Sequence, residues 1–338
     1  GYGFSVEAVP RGWEFTVSGW TERLPRVWKD SLAEFLAQDL DDSTFKDLKD
    51  EAKRSLESLD KDQPYTTAGY YGSLLRAPER FAYGRERVLA ALEGVQVEDV
   101  KEYFKPEGRV RALVQGGLSE ADAKDMLVVF KATLGVRDGP STDFFTPLRI
   151  RKAREVWADT EDSNVASMVT LDFPDSSAFP ILVSALSERF YDDLRTKKGL
   201  GYVCNLSGRR IKGGRVMNLL VQSQKSRFDE IEDWISEAEK TLMTVSDDEY
   251  ASLVKTARER LSEDDQRLGQ EFERNWSEVA SGEERWDRKK AECEGIKNVT
   301  REDVLKLWKA RGPELRVKVG KGGKRGVDDV RREIATEA

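Results

Sequence analysis

The stretch LRTKKGLGY, Leu194–Tyr202, gathers an arginine, a phenol and two glycines. Arg195 carries a planar fork of N–H donors suited to gripping carbonyl oxygens. The Tyr202 hydroxyl can donate to an oxygen that gains negative charge when a carbonyl is attacked. Gly199 and Gly201 permit a sharp turn and a close approach of backbone to a ligand. The rest of the sequence supplies little of the usual catalytic chemistry: it holds no histidine and only two cysteines, Cys204 and Cys293. A zinc site draws three or four ligands, nearly always including His or several Cys, and a Ser-His or Cys-His nucleophile needs the imidazole. Both are excluded from this chain, which leaves carboxylate, lysine and tyrosine chemistry.

The elements that must position the stretch are legible around it. Leu182, Leu186, Phe190 and Leu194 recur at i, i+4, i+8 and i+12, the face of a helix that leads into the motif. A strand-like run precedes it at Ser163–Phe173, and a hairpin follows: Tyr202–Gly208, a turn at Gly213-Gly214, then Arg215–Ser223. Phe228, Ile231, Ile235, Ala238 and Leu242 mark the next helix, and Ser246 with Glu249 reads as a capping box. Helices continue to about Leu307, and Leu315–Val319 reads as a closing strand. This order predicts an α+β layer, a sheet covered by helices on one face.

The pattern occurs twice, at an offset close to 205 residues. Arg80-Phe81 recurs as Arg285-Trp286, Glu98–Val100 as Glu302–Val304, and Asp41-Asp42 as Asp247-Asp248. Asp50–Leu56 faces Lys255–Leu261, and the strand-like Arg109–Gly117 faces Leu315–Gly323. Gly1-Tyr2 faces Gly201-Tyr202 at the start of a shorter hairpin, so the first copy is expected to lack the strand and helix that correspond to Ser163–Leu200. The chain thus reads as a first domain over 1–136, truncated at its start, an ordered linker over 137–160, a second domain over 161–320 and a flexible tail over 321–338.

Composition limits the partners. The 338 residues carry 35% charged side chains with both signs interleaved, and a net charge of −7, so no basic field points to nucleic acid. No apolar run reaches the roughly 20 residues of a membrane helix, and no signal peptide is visible, which predicts a cytoplasmic or unspecified organellar location away from the membrane. Both cysteines read as buried or idle thiols in a reducing compartment. Arg209–Arg215 reads as a hairpin tip rather than a phosphate site, Gly320–Gly326 lacks the GK[ST] of a P-loop, and the acidic pairs sit where carboxylates cap helices. Lys197 and Lys198 read as a solvated turn.

LRTKKGLGY resembles the signature LRTKxxLGY in the last domain of the insulysin and pitrilysin group of M16 zinc metallopeptidases. Leu194, Arg195, Thr196, Lys197, Leu200, Gly201 and Tyr202 match it, and QSQK, Gln222–Lys225, is similar to the group's QSxK. The resemblance extends from Gly1 to about Val319. It implies two homologous α+β domains, each an antiparallel or mixed sheet layered with helices in the LuxS/metallohydrolase-like manner, equivalent to the third and fourth of four. The group's zinc motif, His-x-x-Glu-His with a distal glutamate, belongs to the first domain and is absent here. The resemblance therefore implies no metal site and no cofactor in this chain, and zinc in an N-terminal half that is its partner, on the same polypeptide or as a separate subunit. It further implies a peptide substrate enclosed between the halves, with Arg195 and Tyr202 as catalytic and substrate-binding residues and Gly199 and Gly201 beside them. The expected function is the C-terminal substrate-chamber half of a zinc-dependent endopeptidase, inactive alone. The alternative is a stand-alone, non-catalytic M16-like scaffold or peptide-binding subunit, and assembly as a dimer is left open.

Overall fold

The computed structural model describes residues 1–9, 12–78, 81–103, 107–138, 145–224, 228–323 and 327–337. Arg80, the Gly139-Pro140 break, Lys225 of QSQK and the last three residues of Gly320–Gly326 lie outside them. The elements run β1 (Gly3–Val9), β2 (Gly12–Ser18), α1 (Leu24–Ala37), α2 (Asp42–Glu57), α3 (Pro64–Arg76), α4 (Arg85–Gly94), α5 (Val97–Tyr103), β3 (Glu107–Gly108), α6 (Glu120–Leu134) and β4 (Arg137–Asp138). They continue with β5 (Arg154–Ala158), β6 (Val165–Phe173), α7 (Phe179–Tyr191), β7 (Val203–Ile211), β8 (Gly214–Ser223), α8 (Glu230–Met243), α9 (Asp247–Ser262), α10 (Leu268–Ser281), α11 (Arg288–Ile296), α12 (Arg301–Lys309), β9 (Leu315–Val319) and α13 (Val327–Glu337). They form two compact units: Gly1–Leu56, Arg85–Phe145 and Asp265–Arg285 in one; Glu57–Gly84, Thr146–Asp264 and Trp286–Ala338 in the other. α3 thus belongs with the later part of the chain, and α10, its counterpart about 205 residues on, belongs with the earlier part.

The larger unit is built on a five-stranded sheet of order β5-β9-β6-β8-β7, antiparallel except for β5 with β9. Strand alternation sends Val169, Leu171 and Phe173 of β6 into one core, with Met217, Leu219 and Val221 of β8 and apolar residues of α7, α8 and α12. Ala166 and Met168 of β6 point the other way, into a second core with Val156 of β5, Leu315 and Val317 of β9, and Tyr71, Leu74 and Leu75 of α3. Helices therefore cover both faces, not the single face expected from the sequence. The cause is that β6 is buried along both faces: Ala166 and Met168 need a cover on the second face, and the Asp172 carboxylate there takes a partner from α3.

On the α3 face, the buried Arg76 guanidinium lies 2.7 Å from the Asp172 carboxylate. Asp172 also accepts the Ile150 N–H at 3.1 Å. The expected tail is instead an ordered helix: α13 buries Val330 and Ile334 in the second core, and its Arg331 donates to the Ala77 and Ala82 carbonyls. Its apolar residues four apart give it one sticky face, so burial outweighs the chain entropy of a free end. The expected linker likewise contains β5, paired in register with β9.

The smaller unit packs the β1–β2 hairpin on α1 and α6. Phe4, Phe15 and Val17 meet Trp28, Leu32 and Met126, and the Trp28 indole N–H donates to the Met126 carbonyl at 3.1 Å. Among the described residues Arg109–Gly117, expected as a strand, forms no ladder; the two-residue β3, Glu107–Gly108, ends just before it. In the second copy the matching strand β9 is paired by β5 and β6, and the described residues of Gly1–Leu56 hold no counterpart of either.

If α13 is structural, Ile334→Ala lowers the stability of the larger unit by about 2–5 kcal/mol, as for other buried isoleucines. Urea titration of tryptophan fluorescence measures this, and a mobile end would show no change.

Candidate functional site

The motif begins where α7 runs out. Leu194 and Leu200 are both buried in the core beneath the sheet, and the chain between them must reverse direction. It does so through a π-helical turn over Asp192–Lys197, a widening often found at functional sites. The Lys198 N–H bonds to the Asp193 carbonyl and the Leu200 N–H to the Leu194 carbonyl, both at 3.0 Å. Gly199 closes the turn at φ 61°, the left-handed conformation that glycine adopts without penalty.

Gly201 then enters β7 at φ 156°, so close to β8 that a Cβ there would stand 2.1 Å from the Gln222 carbonyl oxygen. Gln222, paired with Val203 across the ladder, uses its side chain to accept the Tyr65 N–H at 3.0 Å and to donate to the Gln63 side chain at 2.9 Å. One residue thus fixes the Gly201 corner with its backbone and the start of α3 with its amide.

Arg195 and Tyr202 meet at this corner. The Arg195 guanidinium donates from Nη1 to the Gly201 carbonyl at 2.6 Å and lies 4.6 Å from the centre of the Tyr202 ring, within cation–π range. The Tyr191 ring lies 5.7 Å from it. Tyr202 is 89% exposed, so its hydroxyl faces solvent.

The cations and acids nearby satisfy each other. Lys197 pairs with Asp192 and Asp193, and Lys198 with Glu230, so both lysines are engaged at the turn. Among the described residues no carboxylate pairs with Arg195, which leaves its charge uncompensated at the surface. Asp193 also accepts the Trp234 indole N–H at 3.0 Å. Burial pushes the Asp193 carboxyl up, but hydrogen bonds from Lys197 and Trp234 and the charges of Lys197 and Arg189 outweigh it and hold the group below the ordinary value. Hydrogen bonds and charge from the same two acids raise the Lys197 ammonium. Burial raises the Cys204 thiol, although Arg195 pulls the other way.

All four residues singled out in the sequence therefore fall at one corner: Arg195 and Tyr202 in contact, Gly199 and Gly201 shaping the turn. Tyr191, Asp193, Gln222 and Trp234 were not singled out as site residues. Tyr191 and Asp193 were findable from their helical spacing to Arg195 and Lys197, whereas the Trp234–Asp193 bond joins separate elements and has no local signal. The sequence has no histidine, and among the described residues no three Cys, Asp or Glu side chains group so as to hold a metal. No helix among the described residues is long and apolar enough to cross a membrane.

The fold is that of pitrilysin. Superposition on its crystal structure gives a TM-score of 0.84 at 19% identity, over 96% of this chain and 36% of that one. The peptidase M16 inactive domain from Pseudomonas fluorescens follows with a TM-score of 0.68 at 12% identity, over 96% of this chain and 82% of that one. Residues 1–86 match the middle or third domain of peptidase M16, and residues 181–276 match the C-terminal lobe domain 4 of PQQ synthase PqqF-like proteins. Human insulin-degrading enzyme is 22% identical over 331 residues, 91% of this chain and 32% of that enzyme. Rat nardilysin is 27% identical over 252 residues, 68% of this chain and 21% of nardilysin. These likenesses support an M16 protein of the insulysin and pitrilysin type, each family model matching less than a third of the chain. It spans about a third of the length of the insulin-degrading enzymes it matches.

Two outcomes test the corner as built. Gly201→Ala should destabilise the larger unit, because the new methyl meets the Gln222 backbone. Asp193 has a lowered folded pKa, so the stability it contributes is complete above the ordinary aspartate value of 3.8 and is lost as pH falls through the lower folded value. Asp193→Asn should therefore lower the urea midpoint at pH 7, with the difference closing at acid pH.

Proposed function

We propose that this chain is the C-terminal substrate-chamber part of a zinc-dependent endopeptidase, corresponding to its third and fourth domains. The carrying observation is the corner itself: an arginine without a carboxylate partner stacked on an exposed tyrosine, within a motif matching the insulysin signature. In this reading Gly201 holds one Arg195 donor, and the remaining N–H groups of the fork are free to bind a peptide carbonyl. The Tyr202 hydroxyl donates to the oxygen on which negative charge develops, an interaction stronger in the transition state than in the ground state. The ion pairs of Lys197 and Lys198 with their acids keep other charges from competing for the substrate carbonyl. The zinc ion is assigned to an N-terminal partner half, since the sequence has no histidine and no group of metal-binding side chains occurs among the described residues, and the chain alone is inactive.

A second reading is favoured by the likeness to the M16 inactive domain, of which this chain covers 82%. There the chain acts as a non-catalytic, peptide-binding scaffold. The two separate on one measurement. In the full-length protein that includes this chain, the first reading expects stoichiometric zinc and cleavage of a fluorogenic peptide; the second expects neither. In the active enzyme Tyr202→Phe should reduce turnover on the order of 10²–10³-fold, and Arg195→Ala should reduce it strongly, both with zinc content unchanged. Full turnover in both variants would remove these residues from the active site.

A further inference from the structure

We propose that Tyr191 is a positioning residue for Arg195, holding the guanidinium against the Gly201–Tyr202 corner with the face of its ring rather than with its hydroxyl. This rests on the reading of Arg195 and Tyr202 as the pair that contacts peptide. Tyr191 is the last residue of α7, and core packing does not explain it: Phe190 before it and Leu194 after it are fully buried, whereas Tyr191 is 46% exposed. Its ring centre lies 5.7 Å from the Arg195 guanidinium carbon, inside cation–π distance.

Arg195 needs such a hold. A long side chain at a surface turn loses much rotamer freedom when it is fixed, and no carboxylate among the described residues anchors this one. Its nearest acids in sequence, Asp192 and Asp193, are bound by Lys197. Three contacts remain: the Gly201 carbonyl, the Tyr202 ring and the Tyr191 ring. Tyr202 cannot serve as a fixed support, since it is itself the group to be placed. Tyr191 stands on the helix, so it can transmit the order of α7 to the guanidinium and through it to Tyr202.

The test uses the full-length enzyme and a fluorogenic peptide. Tyr191→Ala should lower kcat/KM about two- to five-fold, the range for an exposed cation–π contact, without changing the melting temperature. Tyr191→Phe, which keeps the ring, should restore it. In an Arg195→Ala background Tyr191→Ala should cost nothing more, because its effect passes through Arg195. By NMR of the present chain, solvent exchange of the Arg195 Nε–H should speed up in Tyr191→Ala and not in Tyr191→Phe. Unchanged kinetics in Tyr191→Ala, an equal loss with and without Arg195, or failure of Tyr191→Phe to restore activity overturns the assignment while Arg195→Ala and Tyr202→Phe remain impaired. If those two reference variants keep full turnover, the underlying reading falls and this assignment falls with it.

Discussion

Strand β6 is buried along both faces, and that requirement decides much of the larger unit. A sheet strand whose side chains are buried on both faces has no solvent side, so it needs a layer above and a layer below. α7, α8 and α12 follow β6 in the chain and supply one layer. The other comes from α3 and α13, one preceding the sheet and one following it. The Arg76–Asp172 pair belongs to this second layer. Two charges out of water are tolerable only when each is paired, and Asp172 adds the Ile150 N–H to the Arg76 guanidinium. Removing either partner would leave a buried charge uncompensated, so the pair fixes how the end of α3 sits on the strand.

The candidate site lies at the rim of this arrangement. Leu194 and Leu200 are held in the core, and the residues between them are forced out into a turn at the mouth of β7. Rigidity at the base and exposure at the tip come from the same two leucines. The π turn and Gly199 reverse the chain, and Gly201 brings the strand against Gln222. Gln222 in turn holds the start of α3. The corner is therefore tied to the layer that desolvates β6, and the site inherits its order from the sheet.

What the sequence made legible follows from where the signal is local. The helix entering the motif, the hairpin after it and the closing strand are each set by residues a few positions apart, and the spacing of Leu182, Leu186, Phe190 and Leu194 read correctly as a buried face. The second layer was not legible, because α3 lies about a hundred residues before β6 and nothing local to either segment ties them together. Arg109–Gly117 looked like a strand because its residues favour one, yet a strand is defined by partners, and here the ladder stops after β3. The tail misled in the opposite sense: its glycines and charges masked Val330 and Ile334, which are enough to dock a helix. At the site, the motif pointed to Arg195 and Tyr202. Two further contacts at the turn, Trp234 on Asp193 and Glu230 on Lys198, arrive from α8 and have no local signal.

The two copies of Gly-Tyr show that residue type alone does not make a site. Tyr2 opens the first hairpin as Tyr202 opens the second, but its ring lies over Gly19, at a distance that a Cβ on that glycine would not allow. It is 39% exposed and spends its face on backbone. Tyr202 spends its face on the Arg195 guanidinium and is 89% exposed. The same dipeptide is thus a packing residue at one corner and an accessible phenol at the other. The difference is a cation placed beside it at a widened helix end, so the geometry of that helix end, more than the tyrosine, separates the second corner from the first.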